Sequence, residues 1–139
     1  MFEIDPAFLA TSHPLGEMAL CHTRLQGDAR FPWVVLIPRL DKAQELEDLG
    51  PEDRNRLLEE VLRAGAAVRA VGLALGRPVQ KLNVGQLGNV TAQLHLHVVG
   101  RRGDDPAWPG PVWGRSAAQP YRPKDLDLAI TAARAALGL

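Results

Sequence analysis

An α+β fold is the class predicted by this chain of 139 residues. Three observations carry the prediction: short apolar runs bounded by turn residues read as strands, a long stretch from Pro51 repeats its apolar residues at helical spacing, and a second amphipathic stretch closes the chain. The length suits one domain, residues 1–139, around one core.

The elements follow in chain order. Asp5 to Leu9 reads as a short helix, with Asp5 as N-cap and Pro6 at the first helical position. Glu17 to Leu25 and Trp33 to Pro38 read as strands. The turn residues Gln26-Gly27-Asp28 between them make the pair a hairpin. From Pro51 to about Leu75 the residues Leu57, Leu58, Val61, Leu62, Val68, Val71 and Leu75 predict a long helix. Pro51, Glu52 and Asp53 suit its start, by fixed φ and by complementing the positive end of the helix dipole, and Gly76 with Pro78 ends it. Gly65 and Gly72 each weaken a helix by roughly 1 kcal/mol relative to Ala, so they are expected where another element comes close. Val79 to Leu87 and Leu94 to Gly100 read as two further strands, joined by the loop Gly88-Asn89-Val90-Thr91. Arg101 to Pro111 is irregular, and Pro123 to Leu137 is a final helix with Leu126, Ile130, Ala133 and Leu137 on one stripe.

Composition narrows the function classes. Sixteen basic and sixteen acidic residues give a net charge of zero, which argues against nucleic-acid binding through a broad basic surface but leaves room for local anion sites. The single cysteine, Cys21, excludes an intrachain disulfide and a structural cysteine zinc site. It reads as packing in an apolar strand, with His22 facing the other way as a surface residue. No basic start followed by an apolar run opens the chain, and no stretch approaches about 18 uninterrupted apolar residues. A cytoplasmic protein is expected, away from membranes.

The chemistry concentrates in Gln93-Leu94-His95-Leu96-His97. Strand alternation sends Leu94, Leu96 and Val98 to one face and Gln93, His95 and His97 to the other. Same-face neighbours lie about 7 Å apart at Cα, close enough to address one small ligand. If the two last strands pair antiparallel, Asn83 and Gly85 come beside the imidazoles, and Gly88 to Thr91 offers backbone N–H groups suited to phosphate oxygens. Neutral imidazole is a nucleophile near pH 7, provided that one ring nitrogen holds the proton against an acceptor while the other attacks. A second imidazole can then donate to a phosphate oxygen as charge builds. Two rivals stand beside this reading. The histidines are exposed sheet residues without a role, or they bind a metal with a third ligand from His13, His22, Asp104 or Asp105.

The segment Asn83 to Arg101 resembles the histidine triad (HIT) family, which is marked by His-x-His-x-His, two apolar residues, a preceding Asn-x-Gly strand and a glycine-containing loop. Gln93 stands where the first His of the triad falls, His95 matches the middle His and His97 the third. Bacterial members with Gln at the first position, and with a stretch like Asp104 to Pro109 ending at a Trp such as Trp113, are the nearest look-alikes. Val34 to Arg39 resembles the family's strand before its long helix.

The resemblance implies an antiparallel sheet of about five strands with one long and one C-terminal helix. It also implies a homodimer and a hydrolase or nucleotidyl transferase acting at the α-phosphate of a dinucleoside polyphosphate or nucleoside phosphoramidate. His95 is then the nucleophile, His97 and Gln93 assist it, and Asn83, Gly88 and Asn89 hold substrate. No protein-bound metal or other cofactor is implied. Val90 occupies a place where some branches carry a Ser that serves the leaving group. The ribose-binding Asp has no clean match, with Thr23, Gln26 and Asp28 all open. A nucleotide-binding protein without turnover is the alternative.

Overall fold

In the computed structural model, which describes residues 1–139, the order is α1 (Pro6–Thr11), β1 (Ser12–Glu17), β2 (Cys21–Gln26), β3 (Trp33–Pro38), a 3-10 turn at Leu46–Asp48, α2 (Pro51–Ala74), β4 (Lys81–Gly85), β5 (Leu96–Arg101) and α3 (Pro123–Leu137). The five strands form one antiparallel sheet in the order β1-β2-β3-β5-β4. The fold class and the two principal helices agree with the sequence.

The stretch expected as one strand from Glu17 differs. Glu17 ends a strand that begins at Ser12 and was not expected, Met18 to Leu20 turn, and only Cys21 onward is the expected strand. β1 and β2 fold back on one another with Ser12 opposite Gln26 and Glu17 opposite His22. The turn between them, Met18-Ala19-Leu20, carries none of the usual turn residues. Glu60 of α2 holds it instead: its carboxylate accepts from the backbone N–H of Leu20 and of Cys21, each at 2.8 Å. β1 is an edge strand broken by a register shift between Pro14 and Gly16, the setting in which a strand tolerates Pro.

One face of the sheet packs on α2 and α3. Leu25, Val34, Leu36, Leu96 and Val98 meet Val61, Ala64, Val68 and Val71 of α2, and Ala129, Ala133 and Leu137 of α3. Each fully buried Val or Leu contributes roughly 1.5–3 kcal/mol relative to exposure. Leu58 and Leu62, expected on the buried stripe of α2, are instead 60% and 62% exposed, so that stripe is narrower than its spacing suggested. Gly65 and Gly72 do mark close approach: a Cβ would fall 2.9 Å from Leu82 Cδ1 at the first and 2.7 Å from the Arg77 carbonyl oxygen at the second.

The other face carries a smaller, aromatic cluster. Phe31, Trp33, Val35, Ile37 and Val99 pack beneath Phe8 of α1 and beneath Ala107 and Val112 of the irregular segment. Arg101, 1% exposed, anchors that segment by donating to both carboxylate oxygens of Asp105 at 2.8 and 3.0 Å. Its guanidinium lies between the rings of Phe31 and Trp108. Burial alone would raise the Asp105 carboxyl. Arg101 and the N–H groups of Arg102, Ala107 and Trp108 override it and hold the pKa at about 2. No helix is long and apolar enough to cross a membrane.

Candidate active site

His95 and His97 project from the aromatic face at the start of β5. Their rings meet edge to face with centroids 4.9 Å apart. Leu94, Leu96 and Val98 go to the helix side, as alternation requires. Register places Gly85 opposite His97 and Asn83 opposite Val99, so the expected neighbours of the imidazoles are beside them.

The hydrogen bonds assign the protons. His95 Nδ1 lies 2.7 Å from the Gln93 carbonyl oxygen, which can only accept, so Nδ1 carries the hydrogen. In the neutral ring Nε2 is then an unprotonated lone pair, and it makes no hydrogen bond within the chain. His95 is 6% exposed, with the edge of the Phe8 ring against it at 4.7 Å between centroids. His97 has the opposite tautomer. The Trp33 indole N–H donates to its Nδ1 at 3.0 Å, so the proton sits on Nε2. Burial, with the nearby His95, lowers the His97 pKa to about 4. At neutral pH it is therefore an uncharged donor beside the His95 ring.

Trp113 completes the enclosure. Its ring lies 5.5 Å from His97 and 6.4 Å from Trp33 between centroids, and a Cβ on Gly85 would fall 2.8 Å from it. Gly85 is thus required by the indole that covers the second imidazole. The Trp113 N–H is buried without a hydrogen-bond partner. Trp108, by contrast, is 41% exposed and stacks outside on Arg101.

The loop before β5 is rich in free donors. None of the backbone N–H groups from Gln86 to Gln93, including those of Gly88 and Asn89, donates to another group of the chain. Beside an imidazole lone pair, such a run of open amides suits an oxyanion. The Asn83 side-chain oxygen accepts from Arg101 at 2.8 Å, which fixes the amide and leaves its NH2 unengaged.

Gln93 lies elsewhere than expected. Its side chain turns to the start of the chain, accepting from the Asp5 N–H at 2.8 Å and donating to the Glu3 carbonyl at 2.7 Å. The side-chain amide ties down the N-terminal segment, and only the Gln93 backbone touches His95. Arg39 pairs with Glu17 and two carbonyls, Arg102 pairs with Asp104, and Arg101 is committed as described. Among the three residues left open for ribose, Thr23 shares the helix side with Leu36, and both Asp28 oxygens are taken by Arg30. Gln26 has neither constraint. No three His, Cys, Asp or Glu side chains gather where they could hold a metal.

Sequence reasoning missed a polar network on β2. His22, expected at the surface, is 7% exposed, and Arg24 is 4% exposed. Arg24 donates to Ser12 Oγ at 2.6 Å and to His22 Nε2 at 3.1 Å, and the His22 Nδ1–H then meets Glu17 at 2.5 Å. Ser12 Oγ in turn donates to the Phe8 carbonyl. The network fixes the end of α1, and with it the Phe8 ring over His95. The alternation of Cys21, Thr23 and Leu25 with His22 and Arg24 was the available signal.

A family model described as the HIT domain matches residues 9–104. Three solved structures are similar over nearly their whole length. A histidine triad protein from Sinorhizobium meliloti 1021 is 35% identical, with a TM-score of 0.88 and coverage of 99% of this chain and 98% of that one. One from Marinobacter aquaeolei VT8 is 36% identical, with a TM-score of 0.87 and coverage of 99% and 97%. One from Bradyrhizobium japonicum is 30% identical, with a TM-score of 0.88 and coverage of 98% of each chain. No curated protein matches.

Proposed function

The chain belongs to the HIT domain family, and from that premise we propose that it hydrolyses or transfers a nucleotide at the α-phosphate, through a covalent bond to His95. The observation that carries the reading is the His95 tautomer: Nδ1–H is held by the Gln93 carbonyl and Nε2 is free, beside a loop of open amides. Nε2 attacks the α-phosphorus. A P–N bond forms, the bond to the leaving group breaks, and the leaving group departs with its electron pair and takes up a proton. Water then attacks the same phosphorus, the P–N bond breaks, and neutral His95 returns with a nucleoside monophosphate released. The His97 Nε2–H, the Asn83 NH2 and the amides of Gly88 and Asn89 hold phosphate oxygens as charge develops.

Dinucleoside polyphosphates and nucleoside phosphoramidates are the substrate classes, with Val90 disfavouring the second. The chain falls in the bacterial branch with Gln at the first triad position. There Gln93 acts through its carbonyl and through its hold on residues 3 and 5, not by touching phosphate. Residues 1–139 work as one unit in the cytoplasm, as a homodimer joined along β4. That strand is a sheet edge, its Val84 is exposed, and so is Leu62 of α2, which lines one surface recess with it. Val84→Asp should convert a dimer to a monomer in light scattering.

The test is incubation with diadenosine tetraphosphate. AMP should accumulate, and mass spectrometry of acid-free quenched samples should find an adenylated His95. The second reading, binding without turnover, is favoured by the low exposure of His95 under Phe8. Micromolar AMP binding with no product and no adduct would select it.

A further inference from the structure

At the far end of the sheet from the imidazoles lies a groove of about 540 Å³. It is bounded by the residues before β3, the end of α2 and the start of α3. Three guanidiniums line it, from Arg30, Arg77 and Arg122, with Asp125 the one carboxylate of the lining. Arg30 is neutralised by Asp28, at 2.9 Å. Arg77 donates only to the Ala29 carbonyl, at 2.6 Å, and Arg122 makes no side-chain hydrogen bond or ion pair. Two cations with no carboxylate partner thus face one recess. A smaller cavity of about 150 Å³ shares Arg30 and Arg77 with it and adds Arg102, itself paired with Asp104.

Tyr121 contributes its ring to the wall of the groove, its oxygen being shielded from solvent. Leu75, Pro106 and Pro120 add apolar surface to a lining that is mostly polar, and the volume is in the usual range for small-molecule sites.

We propose that this groove is a second ligand site, separate from His95, for a phosphate-bearing small molecule whose phosphate sits between Arg77 and Arg122. A free polyphosphate and the phosphate of a mononucleotide share this chemistry. The site does not depend on any reaction at His95.

The experiment titrates the full chain with inorganic pyrophosphate and, separately, with AMP, following arginine Nε–H and imidazole signals by NMR. The Arg77 and Arg122 signals should shift saturably with at least one of the two probes. Saturation by pyrophosphate alone identifies free polyphosphate as the ligand, and saturation by AMP identifies the nucleotide. Arg122→Gln, at an exposed position, should weaken that binding about tenfold, and Arg77→Gln/Arg122→Gln further, as loss of charge-assisted hydrogen bonds does. The response of the His95 and His97 signals to AMP should stay as in the parent. The proposal is overturned if neither probe moves the arginine signals up to roughly 10 mM, the weak end of specific binding. It is equally overturned if the signal of the remaining arginine shifts with unchanged affinity in the Arg122→Gln and Arg77→Gln variants.

Discussion

Toward α2 and α3 the sheet presents Leu25, Val34, Leu36, Leu96 and Val98. Toward the N-terminal segment, the sheet and the residues leading into it present His22, Arg24, Trp33, His95 and His97. The first side is held by area and shape, and its free energy scales with apolar surface removed from water. The second adds matched donors and acceptors to a smaller aromatic cluster, and there one missing partner costs as much as a buried methyl group or two. Along β5 the two kinds of face are separated by the thickness of a single strand. Their difference teaches that the larger apolar core and the residues of the proposed chemistry lie on opposite sides of the same peptide backbone, so that stability and the proposed activity should be separable by substitution.

The sharpest separation comes from His95→Ala. AMP release from diadenosine tetraphosphate should fall by roughly 10⁴-fold or more, as for removal of a nucleophile, while the thermal midpoint stays within a few degrees. Leu25→Ala is the converse. It should cost about 3 kcal/mol in urea unfolding, from lost burial and the cavity left behind, with turnover per folded molecule unchanged. If either variant moved both readouts fully, the two faces would not be independent.

The third test uses pH. The folded His97 pKa of about 4 lies below the usual value near 6.5, so between those limits the unfolded chain binds the extra proton and the folded chain does not. Stability is therefore fully present above about pH 6.5 and declines as pH falls toward 4, by about 3 kcal/mol at most. His97→Gln should flatten that decline and Leu25→Ala should not, in denaturation series across pH 4–7. The smallest effect is Trp33→Phe. Without the indole donor His97 is free to take either tautomer, so kcat should drop about tenfold with KM little changed, the signature of a group aligned for the transition state.

The helix side was the more legible in the sequence. α2 and α3 followed from the regular period of their apolar residues and β3 from an unbroken β-branched apolar run, with Pro and Gly marking the boundaries. The histidine pair was legible too, because alternation alone places His95 and His97 on one face. What escaped was contact between distant positions. The division of β1 from β2 depends on Glu60, forty residues away from Leu20. The tautomer of His97 depends on Trp33, and the cover over His95 on Phe8. Leu58 and Leu62 show the opposite limit, where a helical period marks more apolar residues than the fold buries.

The side chain of Gln93 joins the first few residues of the chain to the threshold of β5 by giving one hydrogen and receiving another. A neutral imidazole at that position could in principle make the same two contacts, but on taking up a proton it would lose its power to receive. An amide has no such second state. The clasp between the chain's first residues and the histidine-bearing strand therefore holds equally in mildly acidic and neutral surroundings, and acidification must act on this protein through its other side chains.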